Sequence, residues 1–416
     1  MKLILLSVGT RGDIEPFLAI GEILKEKGHQ VICAFPEQFR DITEESDLQF
    51  FSLGKRFIEM LDSADGKAAT GGSGSGLKKF LAYIRLARNQ ADINKELVYK
   101  QYELIENEQP DRIIYNGKAI YPIIWELKHR GRTIFVSPLP YMHYVKGHTH
   151  VAFNSNFGTL LNKLTFSLAH FGMVTTVMIT RKWLKIKDKI NRKQIRNILR
   201  NNKSIYTISP SLFPRPGYWN KNLKVLGNHK RDIVIKYQPE KGLIRFLGNH
   251  KKILFITFGS MLNPEPKKIT RIIVDILERN KIPAIINTAS GGLVEPDKYN
   301  SALIHFVSGI PYDWIFPKMY AVIHHGGSGT THMALKYGCV TMIIPHIIDQ
   351  FLWNRILYDL NVSPDGIRIG KISRNRLEPK MIELMCNDEF KKRTMQLSHQ
   401  MNQEDFRSEL YNALIE

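Results

Sequence analysis

Residues 321–350 read AVIHHGGSGTTHMALKYGCVTMIIPHIIDQ, the stretch of the chain best suited to hold an anion. An apolar run ends at His324 and His325, the small residues Gly326, Gly327, Ser328 and Gly329 follow, and Thr330 is expected to open a helix. Small side chains let backbone amides approach an anion closely, and a helix amino terminus adds partial positive charge. Such a turn suits a diphosphate. It lacks the terminal Gly-Lys-Ser/Thr of a P-loop, which argues against a nucleoside-triphosphatase site of that kind. His325, at the strand end, can donate a hydrogen bond to the same group. The next apolar run, 340–345, leads to Asp349 and Gln350, a carboxylate and an amide of the kind that binds sugar hydroxyls.

These side chains need a scaffold, and the hydrophobic pattern supplies one. Residues 3–8 form an apolar run, a glycine-containing turn follows, and IEPFLAIGEILKEKGH has apolar residues at helical spacing: strand, loop, helix. Pro16 suits a first helical turn and Gly28 a helix end. Strand-like runs recur at 30–35, 111–116, 133–137 and 204–209, separated by helical stretches. The pattern restarts at KKILFITFGS (251–260) and continues at 283–288, 304–308, 321–325 and 340–345. Alternation of this kind predicts parallel sheets wrapped by helices, an α/β class. Two doubly wound, Rossmann-like domains are expected, with a ligand in the cleft where their strand ends face each other. Their limits are read as 1–228 and 249–395, joined by 229–248, with a carboxy-terminal helix over 396–416 packing back on the first domain.

Composition narrows the partners. The 416 residues, 43% hydrophobic and 24% charged, suit two globular domains. Cys33, Cys339 and Cys386 have no metal-ligand or disulfide spacing, and a reducing cytoplasm fits them. The start MKLILLSVGTRGD reads as a first strand rather than a signal peptide. No window is apolar for long enough to span a membrane. The net charge of +20 attracts anions, whether a nucleotide diphosphate, an acidic bilayer or nucleic acid. No RNA-recognition, finger or helix-turn-helix pattern accompanies it, so nucleic acid is not the expected partner. The run TGGSGSG (70–76) has the composition of a flexible linker, either a natural one or an engineered splice replacing a disordered loop. Residues 142–196 mix aromatics and leucines with many Lys and Arg, which suits packed helices with snorkelling lysines or a surface for an anionic membrane or a greasy ligand.

The segment GIPYDWIFPKMYAVIHHGGSGTTHMALKYGCVTMIIPHIIDQ resembles the donor-binding signature of the family 1 glycosyltransferases with the GT-B fold. It is nearest the sterol glucosyltransferase and antibiotic-aglycone branch. SVGTRGDIEPFLAIGEIL and KKILFITFGSM resemble further motifs of that branch, in the same order. The resemblance implies a UDP-sugar donor, with a dTDP-sugar as the variant, a small lipophilic acceptor such as a sterol, terpenoid or flavonoid, inversion at the sugar, and no cofactor or metal. It implies that Gly259, Ser260, His325, Gly327, Ser328, Gly329 and Thr330 hold the diphosphate, that Asp349 and Gln350 bind the sugar, that the chain around Val307 receives the base, and that Gly12 belongs to the same nucleotide-sugar site. Asp13 would be the general base; from position alone it is equally a turn residue before a helix. Two departures stand out: Met333 replaces a ribose-binding Glu of plant members, and a base-stacking Trp has no counterpart. A nicotinamide oxidoreductase is disfavoured, since the turn Gly9-Thr-Arg-Gly12 is not G-x-G-x-x-G. A nucleotide-sugar epimerase or hydrolase, or a non-catalytic binding module, would share the scaffold.

Overall fold

Successive residues of a strand point to opposite faces of its sheet, and the first strand shows what this does here. In β1 (Lys2–Leu6), Leu3 and Leu5 enter one apolar cluster with Ile14, Phe17 and Leu18, whereas Ile4 and Leu6 enter another with Ile113, Ile123 and Trp125. A strand buried on both faces needs helices on both faces, hence parallel pairing with crossovers.

The computed structural model describes residues 1–62, 76–153, 156–232, 237–259, 261, 263 and 265–416, without the side chains of 61–89, 290 and 348. The TGGSGSG run up to residue 75 and Ser260 lie outside the described residues. The chain divides into two units: Met1–Gly66, Phe80–Asp232 and Asp405–Glu416 in one, Ile233–Glu404 in the other.

The first unit holds β1, β2 (Gln30–Phe35), β3 (Gln49–Ser52), β4 (Arg112–Tyr115), β5 (Thr133–Ser137), β6 (Ser204–Tyr206) and β7 (Leu223–Val225). They form one sheet in the order β3-β2-β1-β4-β5-β6-β7, every pair parallel. In the second unit β8 (Leu254–Thr257), β9 (Ala284–Asn287), β10 (Ile304–Val307), β11 (Ala321–His324) and β12 (Val340–Ile343) make a parallel sheet in the order β10-β9-β8-β11-β12. The doubly wound α/β class expected from the sequence is observed in both units. β3 and β7 were not anticipated: each is a short edge strand without the continuous apolar run that marks the central ones.

Three local departures have simple causes. The first helix starts at Arg11, so Pro16 falls in its second turn, where the ring removes the amide that would bond to the Gly12 carbonyl. The helix Lys241–Asn249 occupies part of the expected 229–248 connection, because Leu243 and Phe246 bury themselves beside Phe255. The expected 396–416 helix is two helices, Asp388–Gln403 in the second unit and Arg407–Ile415 in the first. Between them the Asp405 carboxylate accepts the Arg407 amide at 3.2 Å and starts the new helix.

That last helix returns to the first unit through its side chains. Leu410 and Leu414 are fully buried in the cluster of Leu3 and Leu5, and Arg407 pairs with Glu26 and Asp232. Leu410→Ala should therefore cost about 2–5 kcal/mol of unfolding free energy, measured by urea denaturation.

Candidate functional site

A doubly wound sheet opens a crevice at the carboxyl ends of its strands where the winding reverses. The first sheet reverses between β1 and β4, and the second between β8 and β11. Asp13 follows β1, Gly259 follows β8, and His325 follows β11.

Asp13 sits in the first turn of the helix Arg11–Glu26, and its side chain is 17% exposed. Its Oδ2 accepts the Thr10 amide at 2.9 Å and the Lys118 ammonium at 2.9 Å. The Ser7 hydroxyl donates to the Asp13 carbonyl at 2.8 Å, and Asn116 donates to the Ser7 hydroxyl at 2.9 Å and the Val8 carbonyl at 2.8 Å. Gly9 makes room: a Cβ there would stand 2.0 Å from Asp13 Oδ2. Asn116 and Lys118, just beyond β4, thus lock a carboxylate that follows β1. Gly12 lies in the same first turn, exposed, with nothing within 4 Å of a Cβ.

The same unit encloses an apolar cavity of about 100 Å³ beside Gly117. Phe135, Met142, Met173 and Leu199 line it, together with His143, His150 and His170. Burial holds all three imidazoles down at about 4, so they are neutral at pH 7.

In the second unit His325 is 8% exposed and flanked by glycines. A Cβ on Gly259 would stand 2.6 Å from His325 Cε1, and one on Gly327 would stand 2.5 Å from Nε2. Gly326 has φ +95°, and a Cβ there would meet Ile343 at 2.7 Å. The helix begins at Ser328, two residues earlier than expected, with Gly327 as its cap. Ser328, Gly329 and Thr330 therefore form its first turn, whose amides have no partner within the helix. His325 Nδ1 is buried and has no hydrogen-bond partner. Leaving such a group unpaired costs about 1–3 kcal/mol, which a hydrogen bond to a ligand atom would recover. Burial, with the neighbouring His346, holds the His325 imidazole down at about 3, so it meets a ligand as a neutral ring.

The other expected ligands are partly engaged. Asp349 is half-buried in the first turn of Ile348–Asp359. The Gln350 carbonyl accepts the His346 and Ile347 amides at 2.6 and 3.1 Å, which leaves its NH₂ end as the donor for a ligand. The Val307 carbonyl accepts the Thr288 amide at 2.9 Å. Met333 packs into the apolar cluster of Phe255 and Phe316. Among the described residues no group of three or more His, Cys, Asp or Glu is placed to hold a metal ion.

Residues 3–113 match the glycosyltransferase family 28 N-terminal domain, and residues 300–416 the erythromycin biosynthesis protein CIII-like C-terminal domain. The chain has the GT-B fold of glycosyltransferases. It is 30% identical to a sterol 3-beta-glucosyltransferase of Arabidopsis thaliana over 97% of its own length, and spans 64% of that relative. Among solved structures, the glycosyltransferase of kitacinnamycin superposes with a TM-score of 0.72 at 14% identity, covering 99% of this chain and 97% of the other. Glycosyltransferase VinC, solved in complex with dTDP, superposes with a TM-score of 0.63 at 13% identity, covering 100% and 98%.

Sequence reading missed several residues of this GT-B chain that the sheet edges bring together. Lys118 was hidden because only the pairing of β1 with β4 places it beside Asp13. Asn287 was hidden likewise: it is buried, its Oδ1 accepts the amides of Ala289 and Gly309, and its Nδ2 reaches the Thr257 hydroxyl at 3.3 Å, which also meets the Tyr312 hydroxyl at 2.9 Å. A polar residue closing an apolar strand was the available signal for Asn287.

Two stability measurements test the site. Gly327→Ala, whose backbone angles any residue can adopt, should lower the stability of the second unit by about 1–3 kcal/mol through overpacking against His325. Gly329→Ala, with open space around its Cβ, should leave stability unchanged or raise it by up to about 1 kcal/mol. Acid should also unfold this unit. His332 and His346 are held down at about 4 and His324 well below its ordinary value, all chiefly by burial. Between the unfolded value near 6.5 and these folded values only the unfolded chain takes up protons. Stability is thus intact above about pH 6.5 and falls as pH drops below it, by up to about 1.4 kcal/mol per pH unit for each imidazole. Urea midpoints at pH 7 and pH 5 measure this.

Proposed function

We propose that the chain is an inverting hexosyltransferase that moves glucose from UDP-glucose to the hydroxyl of a lipophilic acceptor, a sterol first among them. The observation that carries the reading is the buried, unpartnered Nδ1 of His325, on the Gly259 side of a ring whose Nε2 side packs against Gly327, the cap of a helix with free first-turn amides. That combination suits the two negative charges of a nucleotide sugar's diphosphate bridge. Likeness to sterol 3-beta-glucosyltransferases supports the acceptor class, and the apolar, uncharged lining of the cavity suits contact with hydrocarbon.

In the proposed reaction the acceptor oxygen attacks the anomeric carbon while Asp13 takes its proton. The bond from that carbon to the diphosphate oxygen breaks, and UDP leaves with the electron pair, inverting the centre. His325 and the amides of Ser328, Gly329 and Thr330 meet the leaving charge, and Asp349 with the Gln350 amide holds the sugar hydroxyls. Lys118 acts as a positioning residue: its ammonium fixes the rotamer from which Asp13 works.

Incubation of UDP-glucose with a sterol, followed by mass spectrometry, tests the whole. Asp13→Asn should lower transfer by roughly 10²–10⁴-fold and leave UDP binding intact. Lys118→Met should lower kcat by about tenfold with the donor KM unchanged. UDP-glucose consumption that ignores the acceptor would favour an epimerase or hydrolase. UDP binding without transfer to any phenol, sterol or terpenoid would favour a binding module.

A further inference from the structure

The helix Thr159–Trp183 is apolar on both sides. Phe166, Val174 and Val177 are buried against the first unit. On the opposite side Leu160 is 86% exposed, and Leu161, Leu164, Leu168, Phe171 and Ile179 are exposed with it. Their spacing of three and four residues places them in one stripe along the helix. A stripe of this size on the surface of a chain marks an interaction face.

Charge says what covers it. Residues 127–187 contain no Asp or Glu, and residues 157–200 carry ten Lys and Arg against the single acid Asp188. The next helix, Arg192–Asn201, packs against this one and brings Arg196 and Arg200 close enough to lower the pKa of His170 on it. We propose that the Leu160–Ile179 stripe docks on an anionic lipid bilayer, leucines and phenylalanine in the acyl boundary and the flanking cations among the headgroups. Leu and Phe on one side with Lys and Arg beside them is the composition of an interfacial helix. A second copy of the chain is a poor occupant, since it brings the same positive field and a net charge of +20. No described helix is long and apolar enough to cross a membrane, so the contact lies in the interface plane.

The same helix links this face to the acceptor. Ala169, His170 and Met173 line the apolar cavity from the inner side. A lipophilic acceptor dissolved in the bilayer would then reach the protein at the helix that borders its cavity. This link rests on the proposed function; the docking itself does not.

Co-sedimentation of the full chain with vesicles separates the two. The chain should bind phosphatidylcholine vesicles that contain phosphatidylserine, bind pure phosphatidylcholine more weakly, and be released by high salt. The combined variant Leu160→Ser, Leu164→Ser, Leu168→Ser should bind at least about tenfold more weakly. These leucines are exposed and outside the cavity, so its circular dichroism and its turnover of a water-soluble phenol should match the parent. In a separate variant, Leu160→Trp should show a blue-shifted emission on the anionic vesicles. Equal vesicle binding by parent and triple variant, or an unshifted tryptophan, overturns the proposal. So does a parent that is dimeric without lipid and becomes monomeric on substitution. Loss of vesicle binding with no transfer activity in either protein supports the docking face and counts only against the enzymatic reading.

Discussion

A parallel sheet whose winding reverses once cannot keep consecutive helices together at the reversal, and the gap they leave at the strand ends is the constraint on which this chain's chemistry depends. It occurs twice, between β1 and β4 and between β8 and β11. At the first gap a carboxylate is held by an ammonium from across it; at the second a neutral imidazole lies between two glycines beside a helix amino terminus. Residues far apart in sequence meet there because parallel neighbours are joined by long crossovers.

Each gap is built by removing bulk. Gly9 yields to the Asp13 carboxylate, and Gly259 and Gly327 yield to the His325 ring. Chains that crowd polar groups this closely must balance them, and the two units do so differently. Asp13 is paired and hydrogen bonded. The imidazoles of the second unit are kept uncharged by burial, so that at this turn a strongly basic chain presents dipoles and N–H groups rather than a cation. The charge itself lies elsewhere, much of it around the helices of residues 159–201.

That region inverts the usual rule for a surface helix. One face of Thr159–Trp183 fills the core and the other, where polar residues are normal, carries leucines. Basic residues at its ends and on its neighbour set positive charge beside this face, which repels other copies of the chain.

Composition and period alone determined the class of this protein. Runs such as LILL, QVICAF and AVIH read as strands buried on both faces, and the residues between them have helical spacing, so two parallel α/β domains followed directly from burial and hydrogen bonding. The glycine-rich turn after His325 was legible too, because only small residues permit it. The edge strands β3 and β7, the break at Glu404 to Phe406 and the early start of the helix at Ser328 were not, since each depends on a few side-chain contacts rather than on a repeating pattern. Lys118 beside Asp13, Asn287 beside Thr257, and the exposed side of Thr159–Trp183 were decided only by the tertiary structure. Strand order and helix rotation are set by packing summed over the whole core, and no local stretch of sequence carries that sum.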